Sequence, residues 1–94
     1  MKIMPKKKEN LKNELIELVP NKIISIINEL LTLNFDARYK DIYIKERDIY
    51  DKCKDLDVNY EEDYVKNRNG IILSYRKEGW EVRYDESYNR LIFS

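Results

Sequence analysis

Carboxylates are the main groups in this chain that could do chemistry. The sequence contains no histidine, the side chain that most often moves protons near neutral pH. Its closest groupings of acids are Glu61-Glu62-Asp63 and Asp85-Glu86. Carboxylates alone can hold Mg²⁺ or serve a nuclease, but such a site needs acids that converge from separate elements. Because these acids are neighbours in the chain, we predict helix ends and solvated turns rather than an enzyme, and no cofactor.

The single cysteine also points away from catalysis. Cys53 lies four residues after Ile49 and three before Leu56, on the apolar stripe of a predicted helix, and a buried thiol is usually inert. The sequence has no phosphate-binding glycine loop and no CxxC pair. We therefore predict no catalytic residue and no metal ligand. A lone cysteine also cannot form an intrachain disulfide, so the expected location is the reducing cytoplasm of a cell or an infected host.

Acidic residues are concentrated in the segment 46–63, where eight acids face three basic residues. This segment is interpreted as a phosphate-mimicking face, as a docking surface for a basic partner, or simply as a solvated helix surface with a charged cluster after it. A net charge of zero for the whole chain argues against phosphate mimicry. The candidate acidic binding face consists of Glu46, Asp48, Asp51, Asp55, Glu61, Glu62 and Asp63.

Basic residues supply the alternative site, a nucleic-acid contact. Residues 1–47 carry ten basic and seven acidic residues, a net charge of +3, and residues 48–94 carry eight and eleven, a net of −3. Three lysines in the N-terminal arm give little affinity at physiological salt, so a solubilising tail is the favoured explanation for them. The candidate nucleic-acid contacts are Lys6, Lys7, Lys8, Lys66, Arg68, Arg83 and Arg90.

Aromatic residues suggest contact surfaces as well as a core. Eight tyrosines accompany two phenylalanines, and tyrosine suits half-buried positions with one wet end. Tyr88 sits in a predicted polar turn with no core to fill, so it is a candidate interface residue. Trp80 is expected to anchor the C-terminal hairpin on the helices.

The apolar periodicity predicts the elements that would position these groups. Residues 1–8 form a flexible basic arm, and residues 9–94 form a single α+β domain. Pro20 separates the first two helices because proline cannot continue the hydrogen-bond ladder. The predicted helices span 9–19, 21–33 and 46–56, and the predicted strands span 41–45, 80–84 and 90–94.

Residues 61–78 allow two interpretations. Three acids at the start suit a helix N-terminus, Tyr64, Arg68 and Tyr75 share a helical face, and Gly79 suits the position after a helix. Against this, Asn69-Gly70 is a dipeptide typical of hairpins, and the three apolar residues after it favour a strand. We favour a helix over 61–78, with the hairpin as the alternative.

This order of elements resembles that of winged helix-turn-helix domains. The resemblance covers Asn21 to Ser94, with Asn21–Leu33, Glu46–Leu56 and Glu61–Glu78 as the three helices, Ile42–Ile44 as the small strand, and Trp80–Tyr84 with Arg90–Phe93 as the wing. It implies a third helix that enters the DNA major groove. Here that helix would begin with three acids that repel phosphate, so a domain of this shape used for protein contacts fits the charges better.

The sequence thus predicts a small non-enzymatic protein-interaction domain. Abundant Asn, Lys, Ile and Tyr with a single alanine are typical of AT-rich genomes, and the chain is similar to small proteins of phages and large DNA viruses, so a viral accessory, virion or host-directed factor is expected. The alternative is a winged-helix nucleic-acid-binding protein. The expected partner is another protein, with a second copy of the chain or a nucleic acid as alternatives. No apolar run approaches the about 20 residues of a membrane span, so no membrane partner is expected.

Overall fold

The central helix of the molecule is α2 (Asn21–Asn34), which follows Pro20 as predicted. The computed structural model describes residues 3–94, so Met1 and Lys2 of the predicted arm lie outside the described residues. Isoleucines and leucines recur along one side of α2 at helical spacing, and this side forms the middle of the core. Its buried residues are Ile23, Ile26, Ile27, Leu30 and Leu31.

The predicted α+β class is confirmed. Within residues 3–94 the chain forms four α-helices, a short π-helical turn and three strands. None of these helices combines the length and the apolar character needed to cross a bilayer. In chain order the elements are α1 (Lys8–Glu17), α2, β1 (Ile42–Lys45), α3 (Glu46–Asp55), the π-helical turn (Tyr60–Val65), α4 (Arg68–Lys77), β2 (Val82–Asp85) and β3 (Arg90–Phe93).

The strands form one antiparallel sheet in the order β1-β3-β2. Strand β3 is central because it pairs with both others: Phe93 lies opposite Ile42 of β1 and opposite Val82 of β2. Leu91 and Phe93 have no exposed surface, and β1 alternates buried and exposed residues as a half-buried strand does. The hairpin predicted from the polar turn is therefore present, with β2 beginning two residues later than expected.

The predicted single helix over 61–78 is wrong in its continuity. The π-helical turn ends at Val65, and α4 begins only at Arg68. The Asn59 side chain caps the turn by accepting a hydrogen bond from the Glu62 amide at 3.1 Å. The Asn67 side chain donates to the Asp63 carbonyl at 3.1 Å and so satisfies a backbone group at the break. Gly79 has the positive φ of 95° expected after a helix.

Gly70 lies inside α4, so the hairpin alternative is excluded. Its lack of a side chain has a packing reason, because α1 crosses α4 at this point. A Cβ atom on Gly70 would clash with the Leu15 carbonyl oxygen and would lie 2.9 Å from Cγ2 of Val19. The dipeptide that suggested a turn thus marks a close approach of two helices.

Helix α1 is attached to α4 but contributes no buried residue. Leu11, Leu15 and Leu18, which share one helical face, remain 44%, 42% and 67% exposed. Lys8, placed in the arm by the sequence analysis, is the first residue of α1, and Lys6 donates a hydrogen bond to Glu14 at 3.1 Å. The flexibility of residues 1–8 stays a prediction.

Candidate functional site

An open cleft lies where α1, α2 and α4 meet the start of the hairpin, and we call it the Trp80 cleft. It encloses about 450 Å³. Apolar side chains and amide or hydroxyl groups share its walls, with one lysine and one glutamate at the C-terminal end of α4. The lining residues are Ile16, Val19, Asn21, Ile24, Asn28, Ser74, Tyr75, Lys77, Glu78 and Trp80.

The walls of the Trp80 cleft are held by contacts with the core. Trp80 packs edge-on against Phe93, with ring centroids 5.8 Å apart. The Tyr75 hydroxyl donates to Oδ1 of Asn28 at 2.6 Å and also lies 3.3 Å from the Ile24 carbonyl oxygen. Burial raises the pKa of Tyr75 to about 12, so its hydroxyl is neutral at physiological pH. The cleft is therefore preformed rather than made by a mobile loop.

Trp80 also lines a second, shallower apolar cleft of about 360 Å³ at the other end of α2. Its other lining residues are Leu31, Thr32, Phe35 and Ile42. Phe35 follows directly after α2 and is 64% exposed. Because Trp80 contributes to both clefts, they form neighbouring parts of one apolar surface.

Glu46 does not belong to the predicted acidic face, which is a correction. Its carboxylate is buried and accepts hydrogen bonds from Arg68 at 2.7 Å and from the Tyr84 hydroxyl at 2.8 Å. The Arg68 guanidinium lies 4.4 Å from the centre of the Tyr84 ring. Burial acts to lower the pKa of Arg68. The interactions of its guanidinium with Tyr64 and Glu46 outweigh the effect of burial, so the pKa of Arg68 is raised. This network joins α3, α4 and the hairpin and is structural.

Tyr64 is the buried neighbour of this network. Burial raises the pKa of its hydroxyl well above the ordinary value, and the neighbouring Glu46 raises it further while Arg68 opposes this. Among residues 3–94, no group lies in normal hydrogen-bond geometry with this hydroxyl. Its ring stacks on Tyr60 at 5.1 Å, and Tyr60 meets Tyr50 of α3 edge-on at 5.3 Å. These rings hold the π-helical turn against α3.

The remaining acids lie on α3 and the π-helical turn, which contact each other. Glu62 forms an ion pair with Lys66 at 2.8 Å, and both side chains are more than half exposed. Asp48 and Asp63 are partly buried, whereas Asp51, Asp55 and Glu61 are exposed. The structure thus leaves a smaller acidic surface than the sequence predicts, formed mainly by Asp51, Asp55 and Glu61.

Most of the predicted nucleic-acid contacts are engaged within the chain. Four of the seven cations form ion pairs: Lys6 with Glu14, Lys66 with Glu62, Arg68 with Glu46, and Arg90 with Asp85. Lys7, Lys8 and Arg83 are exposed, and none of them forms an ion pair with any of residues 3–94. The structure therefore does not bring the seven cations together into one basic surface.

Tyr88 lies at the tip of the hairpin, as predicted, and is 70% exposed. It is supported by Arg90, whose guanidinium lies 4.7 Å from the centre of the Tyr88 ring and 4.3 Å from that of Tyr43. The same arginine forms an ion pair with Asp85 at 2.9 Å. Tyr88 is thus an accessible aromatic residue whose ring packs on a fixed cation.

Cys53 is buried in the core, as the helical spacing predicts. Burial raises the pKa of its thiol, and the nearby negative charge of Asp63 raises it further. Both effects reduce the thiolate fraction at neutral pH and so reduce reactivity. Within residues 3–94, no three Asp, Glu or Cys side chains are grouped as a metal site would require.

Sequence reasoning missed the Trp80 cleft. Ile24 and Asn28 of α2 both line the cleft, although neither is part of the buried stripe of this helix. Apolar residues on an otherwise polar flank of α2 were the available signal. Comparisons with protein-family models, with curated proteins and with solved structures found no match to this chain.

Proposed function

We propose that this chain is a small non-enzymatic protein-interaction domain and that the Trp80 cleft binds an apolar segment of a partner protein. The observation that carries the proposal is the composition of this cleft. Trp80, Ile24 and Ile16 offer apolar contact area, and the Asn21 and Asn28 amides lie beside them. Protein interfaces concentrate their binding energy in such preformed pockets with tryptophan or tyrosine.

The charged residues support a protein partner over a nucleic acid. Lys77 and Glu78 lie together at one end of the cleft, so the opposite charges on its rim balance. Four of the seven candidate nucleic-acid contacts are neutralised by carboxylates of the same chain. A nucleic-acid site would need those cations free to displace counterions.

The test uses Trp80 as its own reporter, because it is the only tryptophan in the chain. A library of displayed short peptides is selected on the wild-type protein, with Ile24→Glu as the counter-selection target. Selected peptides should contain an apolar or aromatic anchor residue and should shift Trp80 fluorescence to shorter wavelength on binding. Ile24→Glu should abolish this binding, because it places a charge in the apolar wall.

Tyr88→Ser is the matched control, since Tyr88 is exposed and does not line the cleft. This variant should bind the selected peptides as the wild type does. Circular dichroism checks that both variants are folded. Peptides that bind equally well to Ile24→Glu, or a selection that enriches no sequence, would contradict the proposal.

A winged-helix nucleic-acid-binding domain is the second candidate. It is favoured by the sheet order β1-β3-β2, in which the small strand joins the hairpin, and by four cations that line one cleft between α1 and α4. These cations are Lys8, Lys12, Arg76 and Lys77, and Lys12 forms an ion pair with Glu9, which lines the same cleft. Against it, α1 crosses α4 at Gly70 and so covers part of the helix that would enter the major groove. The viral origin expected from composition is likewise retained as part of the proposal.

Titration of a labelled DNA duplex at two salt concentrations tests this candidate. A nucleic-acid-binding protein should lose affinity steeply as salt rises, and Lys77→Glu with Arg83→Glu should weaken binding. Lys66→Glu with Arg68→Glu tests the residues singled out in the sequence, although Arg68→Glu would also break the Glu46 pair. Absence of salt-dependent binding would remove the candidate.

A further inference from the structure

One flank of α1, beside its contact with α4, carries the most exposed apolar stripe on any helix of this protein that the structure describes. Leu11, Leu15 and Leu18 follow the spacing i, i+4, i+7 and therefore lie side by side on one face. Ile16 faces the Trp80 cleft instead, so the stripe is a separate surface. Ile3 and Met4 precede the helix and are also exposed.

The charges of α1 run against its own helix dipole. Lys6, Lys7 and Lys8 lie at its N-terminal end and outnumber the one acid of the first turn, Glu9, whereas Glu14 and Glu17 lie in its last turn, which contains no basic residue. A helix N-terminus favours negative charge and a C-terminus favours positive charge. The observed pattern therefore disfavours the isolated helix.

The same charges suit a neighbouring helix that runs the opposite way. In an antiparallel pair, the lysine end of one α1 lies beside the glutamate end of the other, and the two leucine stripes meet between them. A parallel pair would place the lysine ends together. Glu14 already accepts a hydrogen bond from Lys6, but both side chains are more than half exposed, so the carboxylate stays accessible to a second chain.

We propose that two copies of this chain associate through an antiparallel pairing of their α1 helices, with Leu11, Leu15 and Leu18 at the contact. The contact is isologous, because each copy presents the same face to the other about a two-fold axis. The contact does not use the Trp80 cleft, so the dimer can be tested independently of the proposed function. Ten residues form a helix only about 15 Å long, so the contact area is small. The dimer is therefore weak, and its Kd is expected in the micromolar range.

Sedimentation velocity from micromolar to millimolar concentration tests the apolar part of the proposal. Wild-type protein should pass from monomer to dimer over this range. Leu11→Gln with Leu18→Gln should raise the dimer Kd by more than about tenfold, because glutamine keeps the helix but removes the apolar contact. Leu33→Gln on α2 is the matched control, since Leu33 is 66% exposed and lies outside α1, and it should leave the Kd unchanged.

Charge variants test the antiparallel direction. Lys7→Glu with Lys8→Glu, and separately Glu14→Lys with Glu17→Lys, should each lose self-association. Both changes favour the α1 dipole, so the loss cannot be ascribed to unfolding of the helix. The fourfold variant should form its own dimers but should not exchange with wild-type chains.

Three results would overturn the proposal: wild-type protein that stays monomeric at millimolar concentration, a Leu33→Gln effect as large as that of the α1 variant, or free exchange between fourfold and wild-type chains. Peptide binding in the Trp80 cleft should persist in the α1 variants. Loss of cleft binding alone would count against the proposed function and leave the dimer unaffected.

Discussion

Helices α1 and α2 both carry leucine or isoleucine at helical spacing, yet α2 buries five of these residues and α1 buries none. The difference lies in what each helix meets. Helix α2 contacts α3 and β1 and lies at the middle of the core, whereas α1 packs chiefly on α4, with their close approach at Gly70. The same apolar pattern therefore marks a core in one helix and an exposed surface in the other.

The largest expected effect comes from a cavity in the α2 core. Ile27→Ala should lower the free energy of unfolding by about 3 kcal/mol, because Ile27 is fully buried and its truncation leaves a cavity in the core. Leu18→Ala at the C-terminal end of α1 should cost less than about 0.5 kcal/mol in dilute solution, because Leu18 is 67% exposed. Urea unfolding followed by circular dichroism measures both. Equal losses would mean that α1 belongs to the core after all.

The Glu46–Arg68 pair should give the next largest effect. Arg68→Ala leaves the Glu46 carboxylate buried with only the Tyr84 hydroxyl, and we expect a loss of roughly 2 kcal/mol. The cost is below that of a fully buried pair because the Arg68 side chain keeps 25% of its exposure. Lys66→Ala breaks an exposed pair instead and should leave the unfolding midpoint unchanged. A similar change for both variants would contradict this reading of Glu46.

Gly70→Ala should act locally. The new Cβ meets the backbone of α1, so α1 must move away from α4, although alanine favours helix α4 itself by about 1 kcal/mol. Hydrogen exchange should accelerate in residues 8–17 and remain slow in α2. Asn69→Ala is the control, because Asn69 is exposed and precedes Gly70 in the same helix. Unchanged exchange in α1 would show that the crossing is looser than described.

The effect that is smallest near neutral pH concerns the buried tyrosines. Burial raises the pKa of both Tyr60 and Tyr75 to about 12. A raised pKa favours the neutral hydroxyl in the folded state, so its contribution to stability is complete below the unfolded value near pH 10 and is lost as the pH rises through about 12. Urea unfolding at increasing alkaline pH should show this loss, and Tyr75→Phe should show less of it. An equally steep loss in that variant would assign the effect to other groups.

Local patterns predicted the elements whose burial depends on a single periodic face. The isoleucines of α2 and the alternation in the hairpin are of this kind, and both elements lie close to the expected residues. The break at Lys66–Asn67 could not be predicted in this way, because it depends on side-chain bonds from Asn59 and Asn67 that a periodic pattern does not reveal.

The site residues depended even more on distant contacts. Glu46 is buried only because Arg68 and Tyr84, 22 and 38 residues further along the chain, come to meet it. The same holds for the Trp80 cleft, whose walls come from four separate segments. Charge along the sequence therefore identified candidate residues but could not tell which of them neutralise one another.

The central position of β3 has a consequence for synthesis of the chain. Strands β1 and β2 both pair with β3 and with no other strand of residues 3–94, although both are made before it. Until residues 90–93 leave the ribosome, each carries unpaired backbone groups that another chain could pair with. A stop codon before Arg90 would remove β3, and it would therefore deprive both strands of their partner and leave two open edges prone to aggregation.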